Sequence, residues 1–96
     1  MAESWEHRTL KNLLGEVLGK TECQVPGGRA DACSSKITAE VECSSKKNGI
    51  RTCRIEFREQ PDRKNKGSRQ QPFATFELDS KQIKKLEPVV KRLRGE

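Results

Sequence analysis

Three carboxylates in one predicted hairpin are the residues of this 96-residue chain best suited to chemistry. Apolar and polar side chains alternate in the second arm of that hairpin, a pattern typical of a half-buried strand. Glu40 and Glu42 lie two positions apart in it, so both point to the same face. A two-residue turn at Ser35–Lys36 then sets Asp31 directly opposite Glu40. The pattern therefore predicts a cluster of negative charge on one face of the hairpin.

Carboxylates opposed across two strands repel one another, so another group must compensate them. One candidate is a divalent ion, Mg²⁺ or Mn²⁺, held by Asp31 and Glu40 and used for hydrolytic chemistry. Opposed Cβ atoms lie about 4.5–5.5 Å apart, a separation that suits two ligands of one ion. The other candidate is neighbouring arginine, because the predicted registers place Arg29 and Arg54 opposite Glu42. The second alternative makes the cluster structural.

Positive charge is concentrated in the second half of the chain. Residues 1–45 hold 5 basic and 7 acidic side chains, whereas residues 46–96 hold 15 basic and 7 acidic ones. Such a balance favours a polyanionic partner, nucleic acid first and DNA over RNA, although a solvated lysine-rich surface is the alternative. The candidate phosphate-binding residues are Lys46, Lys47, Arg63, Lys64, Lys66, Arg69, Lys84, Lys85, Lys91 and Arg92.

The four cysteines, at positions 23, 33, 43 and 53, are each ten residues from the next. No Cys-x-x-Cys pair occurs and His7 is the only histidine, so a structural zinc site is not favoured. The first residues lack a secretory signal pattern, and we expect free, buried thiols rather than disulfides. No apolar run reaches membrane-spanning length. The sequence thus predicts a cytoplasmic protein without a membrane partner, and leaves a homodimer open.

The remaining patterns predict a single small domain over residues 1–96. An amphipathic helix is expected at 4–19, and a second helix after Asp79 or Ser80 that Pro88 kinks or restarts. The apolar-free segment 60–71 is expected to be a mobile basic loop. Strands are expected at 29–34, 37–44, 50–58 and 72–78, with 21–25 as a candidate first strand. The predicted class is α+β: an α-β-β-β-β-α domain with a mainly antiparallel sheet flanked by two helices.

The second hairpin has two alternative registers. A two-residue turn at Asn48–Gly49 would place Cys43 opposite Arg54, whereas a three-residue loop at 47–49 places Cys43 opposite Cys53 and keeps the apolar face continuous. We predict the second register, because a slip of one residue would bury charges.

The N-terminal half resembles a known nuclease core. A helix with an early glutamate, then Gly-Arg-x-Asp, then Glu-x-Glu after eight further residues is similar to the PD-(D/E)xK nuclease superfamily over residues 5–45. The resemblance implies that Asp31 and Glu40 bind the metal, that Glu42 occupies the position of the family's lysine, and that Glu6 is the helix carboxylate. It implies a Mg²⁺- or Mn²⁺-dependent endonuclease acting on, or binding, nucleic acid phosphodiesters.

Two other functions remain open on the sequence alone. The basic half could belong to a non-catalytic module that holds phosphates, or to a small protein-interaction domain. Base stacking is not favoured, because the chain has few aromatic residues and we expect most of them to lie in the core: Trp5, Phe57, Phe73 and Phe76.

Overall fold

The computed structural model describes residues 3–25, 28–60 and 71–96, and shows a small α+β domain. The elements are α1 (Trp5–Leu18), β1 (Lys20–Val25), β2 (Gly28–Cys33), β3 (Ile37–Cys43), β4 (Thr52–Glu59), β5 (Ala74–Asp79) and α2 (Ser80–Leu93). The strands form one antiparallel sheet in the order β1-β2-β3-β4-β5. The predicted fold class is confirmed, with the candidate segment at 21–25 adding a fifth strand. Most of the predicted loop at 60–71 lies outside the described residues.

Helix α1 covers one face of the sheet, over β1, β2 and β3. It begins where Ser4 caps it, accepting a hydrogen bond from the His7 amide, and it ends at Gly19 with a φ of 114° that favours glycine. Its apolar stripe buries Leu10 and Leu14. Gly15 allows close packing, since a Cβ there would collide with the Thr21 side chain of β1.

The predicted register of the second hairpin is confirmed. Val41 lies opposite Ile55, and Cys43 lies opposite Cys53. Asn48 and Gly49, both at positive φ, form a two-residue turn enclosed by the bridge between Lys47 and Ile50. The strands beyond this bridge pair one residue out of step with the turn, so the two-residue turn and the predicted strand register occur together. The core then joins apolar residues of the sheet to both helices: Leu10, Leu14, Ala32, Ala39, Val41, Cys53, Ile55 and Ile83.

Helix α2 starts at a complete capping box in which Asp79 and Gln82 each bond the other's backbone amide. It continues through Pro88 as one helix, so the predicted restart does not occur. Pro88 is exposed, so the carbonyl that it leaves unbonded can be hydrated. Neither helix of the described chain is long and apolar enough to cross a membrane.

The expectation of free thiols is wrong, because all four cysteines form disulfides: Cys23–Cys33 joins β1 to β2, and Cys43–Cys53 joins β3 to β4. The ten-residue spacing reflects the lengths of two hairpins, which bring each pair of cysteines together across neighbouring strands. The predicted register of the second hairpin, which sets Cys43 opposite Cys53, already placed the two cysteines of one disulfide side by side.

Candidate functional site

Asp31 lies where the pairing of β2 with β3 ends, and its carboxylate takes over a backbone role. The recorded pairs of this ladder are Ala32 with Ala39 and Cys33 with Thr38. One residue further, Oδ2 of Asp31 accepts a hydrogen bond of 2.7 Å from the Val41 amide. Oδ1 lies 3.4 Å from Nε2 of His7 on α1. The Asp31 carboxylate therefore lies near α1 and adds one side-chain hydrogen bond at the end of the β2–β3 ladder.

Glu40 and Glu42 belong to a ladder of alternating charges on the sheet face opposite the helices. Arg54 contacts Glu42 at 2.7 Å and Glu56 at 3.1 Å. Arg58 contacts Glu56 at 2.6 Å and Glu40 at 3.4 Å. The hydrogen bond to Glu42 is the main cause that raises the pKa of the Arg54 guanidinium above its ordinary value. The arginine alternative is therefore observed for this face, with Arg54 and Arg58 supplying the positive charge.

The structure does not bring the predicted metal pair together on one face. Asp31 contacts a residue of α1, whereas Glu40 extends from the other side of the sheet to Arg58. Within the described residues, no group of three or more His, Cys, Asp or Glu side chains is placed to hold a metal ion. Asp31 and Glu40 thus have different partners within the protein, and metal binding by the two carboxylates stays a prediction.

Glu6, in the first turn of α1, is fully buried. Its Oε2 accepts a 2.9 Å hydrogen bond from the Ser80 hydroxyl, at the first residue of α2. Its Oε1 lies 3.4 Å from Nε of Arg51, and neither of these two buried atoms has a hydrogen-bond partner. The predicted catalytic glutamate thus occupies an internal position that a nucleic acid backbone does not reach.

A second ionic cluster joins α1 to the first two strands. Lys11 donates to Glu3 at 2.7 Å and to Glu22 at 3.3 Å, and His7 contacts Glu3 at 3.0 Å. The Lys11 hydrogen bond holds the pKa of the Glu3 carboxyl below its ordinary value. Burial alone would lower the pKa of the Lys11 ammonium, but its bonds to Glu3 and Glu22 outweigh that effect and raise it. These charges satisfy one another and need no ligand.

The exposed side of α2 is the largest basic feature of the described chain. Between positions 80 and 96 the chain carries six basic and two acidic side chains, a net charge of +4. Helical spacing places Lys81, Lys85 and Arg92 on the side away from the buried Ile83 and Val90. We call the whole set the α2 basic surface: Lys81, Lys84, Lys85, Lys91, Arg92 and Arg94.

The other predicted phosphate-binding residues lie apart from α2 in sequence. Lys46 and Lys47 are exposed in the β3–β4 turn. This turn lies at the sheet end where α2 begins, because Arg51 and Ser80 exchange backbone and hydroxyl hydrogen bonds of 2.9 and 2.8 Å. Arg63, Lys64, Lys66 and Arg69 lie outside the described residues.

A cleft between α1 and α2 is a feature that sequence reasoning missed. It measures about 300 Å³ and is lined by Trp5, Arg8, Thr9, Asn12, Glu87, Val90, Lys91, Arg94 and Glu96. The expectation of a mostly core-bound aromatic set is wrong here, because 37% of Trp5 is exposed, as are 57% of Phe73 and 55% of Phe76. The available signal was the i, i+3, i+7 spacing of Trp5, Arg8 and Asn12 on α1.

No family model, curated protein or solved structure matches this chain.

Proposed function

We propose that this domain is a non-catalytic nucleic-acid-binding module that holds phosphates on the α2 basic surface. The observation that carries the proposal is the state of its charges. Within the described part of the chain, the one recorded ion pair of this surface joins Arg94 to Glu96 at 3.8 Å. The arginines of β4, by contrast, are neutralised by carboxylates at 2.6–3.4 Å.

Charges that are not compensated inside the protein are the ones available to a ligand. Lysine and arginine on one exposed helix face can follow a phosphate backbone, and the release of counterions from that backbone favours binding. Lys46 and Lys47 extend the positive region toward the start of α2. The resulting interface reads phosphate rather than sequence.

Removing three charges from α2 tests this proposal. We expect Lys84→Ala/Lys85→Ala/Arg92→Ala to weaken binding to all sequences alike and to reduce the slope of log K against log salt by about 3, one for each side chain. Fluorescence anisotropy of labelled DNA and RNA at several salt concentrations measures both quantities.

A matched control separates a local interface from net charge. Lys20→Ala/Arg29→Ala/Lys36→Ala removes the same charge from exposed positions on β1, β2 and the following turn. It should leave most of the affinity and slope unchanged. Equal losses in the two triple variants would mean that only net charge matters and would overturn the α2 interface.

A binding module leaves its ligand intact, so we expect no hydrolysis with Mg²⁺ or Mn²⁺. Linear, branched and flapped DNA, and RNA, are incubated with the protein and each metal, then separated on a denaturing gel. Metal-dependent cleavage that both Asp31→Asn and Glu40→Gln abolish would establish the PD-(D/E)xK nuclease hypothesis in its place. Cleavage that survives both substitutions would point to a contaminant.

Two finer expectations remain proposals. A homodimer would most readily form along β5, an edge strand that contains neither lysine nor proline and carries the exposed Phe76. The cytoplasmic location is also a proposal. The two disulfides speak against it, because disulfides are more often found in oxidising compartments.

A further inference from the structure

We infer that the α1–α2 cleft accepts one base of a single-stranded nucleic acid, stacked on Trp5, with the flanking phosphates on Arg8, Lys91 and Arg94. This inference rests on the proposed function and names the form of nucleic acid that the domain prefers.

The cleft has the size and the apolar lining that suit one base. Its volume of about 300 Å³ lies at the small end of ligand pockets, the range in which a single flat ring system fits. The buried side chain of Val90 lines it, and the partly exposed indole of Trp5 lines it from α1. An aromatic face beside an apolar residue offers a base a stacking surface that does not depend on its identity.

The polar side chains that line the cleft suit the remaining parts of a nucleotide. The cleft has three cations, Arg8 on α1, Lys91 on α2 and Arg94 at the C-cap of α2, against the carboxylates of Glu87 and Glu96. The cations suit phosphates on either side of an inserted base. The Asn12 amide and the Glu87 carboxylate can bond the polar edge of the base. The lining thus combines groups for both parts of a nucleotide.

The cleft is continuous with the α2 basic surface. Lys91 and Arg94 belong to that surface and also line the cleft. A strand whose phosphates follow α2 therefore reaches the cleft without leaving positive charge. A base within a duplex is stacked and paired, so only a single strand can offer one to Trp5 without paying for its extrusion.

Intrinsic fluorescence reports directly on this cleft, because Trp5 is the only tryptophan and the chain has no tyrosine. Titration with a thymidine oligonucleotide, and with a uridine oligonucleotide as the RNA arm, should quench Trp5 with the same midpoint as binding. A duplex of equal length and inorganic polyphosphate should bind without quenching. The measurement needs no substitution.

Substitution of Trp5 gives the affinity test. Trp5→Ala should weaken single-strand binding by about 5- to 150-fold and leave duplex binding unchanged, because stacking contributes only with an unpaired base. Trp5→Phe should retain most of the affinity. Phe76→Ala is the matched control, since it removes another exposed aromatic that does not line the cleft.

The outcomes separate this inference from the proposed function. Single strands that bind without quenching, or that bind Trp5→Ala as tightly as the wild type, would overturn the cleft while leaving the phosphate-binding surface in place. Absence of binding to every nucleic acid would overturn both. If Trp5→Ala does not fold, Arg8→Ala in the exposed rim and the wild-type fluorescence decide the matter.

Discussion

Glu6→Ala should lower the free energy of unfolding by about 3 kcal/mol, the lower end of the usual cost of removing one partner from a buried ion pair, because 23% of the Arg51 side chain is exposed. Glu6 is fully buried and accepts the Ser80 hydroxyl at 2.9 Å. Its loss would leave Arg51, whose Nε is also buried, without the carboxylate 3.4 Å away. Because Glu6, Arg51 and Ser80 come from α1, the β3–β4 turn and α2, their contacts join three distant segments. Urea unfolding followed by circular dichroism measures the change.

Two further variants identify the cause of that loss. Glu16→Ala, at an exposed glutamate of the same helix, should change stability by less than about 0.5 kcal/mol. In the double variant Glu6→Ala/Arg51→Ala, the loss should be smaller than the sum of the single losses, because no buried charge is left unpaired. A Glu6→Ala protein as stable as Glu16→Ala would contradict the structural role and return Glu6 to the list of functional carboxylates.

Local sequence patterns predicted the fold well because they act over short distances. The amphipathic pattern predicted a helix at 4–19, and α1 spans Trp5–Leu18. The alternation of apolar residues, and not the Asn48–Gly49 turn signal, selected the register that pairs Val41 with Ile55, since a slip would have buried charge. Burial of Glu6 was harder to foresee, because it depends on Arg51 and Ser80, which approach it only in the folded chain.

The site was less predictable because carboxylate direction depends on details of pairing. Regular alternation placed Asp31 and Glu40 on one face. In the structure the β2–β3 pairing ends at Ala32–Ala39, and the Asp31 carboxylate replaces a backbone acceptor for Val41. Of the arginines on this face, Arg54 beside Glu42 belonged to one of the two predicted alternatives, whereas Arg58 beside Glu40 was not predicted. An alternating pattern predicts on which face of the sheet a side chain lies. It does not predict the residue at which the pairing of two strands ends.

Cysteine pairing shows how a correct register can still be interpreted incorrectly. The predicted alignment set Cys43 opposite Cys53, yet the general rule on compartments favoured free thiols. Geometry and cellular context are independent sources of information, and the geometry of β3 and β4 proved the better guide.

Reduction of both disulfides should destabilise the domain by several kcal/mol, since each bond closes a loop of ten residues and such bonds contribute about 2–4 kcal/mol. This is a large share of the stability of a small domain, for which about 5–15 kcal/mol is typical. Urea unfolding with and without a phosphine reductant, combined with thiol counting, measures the effect. A variant with alanine at all four cysteines is the control, and reductant should not change its midpoint.

The two bonds should differ in their contributions, because they lie in different clusters. Cys53 is fully buried in the main core with Val41, Ile55 and Leu10, whereas Cys23 and Cys33 pack with Ala30 in a small separate cluster. Loop lengths are equal, so the entropic contribution is similar and packing decides the rest. Cys43→Ala/Cys53→Ala should therefore cost more than Cys23→Ala/Cys33→Ala. Equal costs would mean that loop closure alone stabilises the domain, and a reversed order would place the more important contacts at the β1–β2 edge.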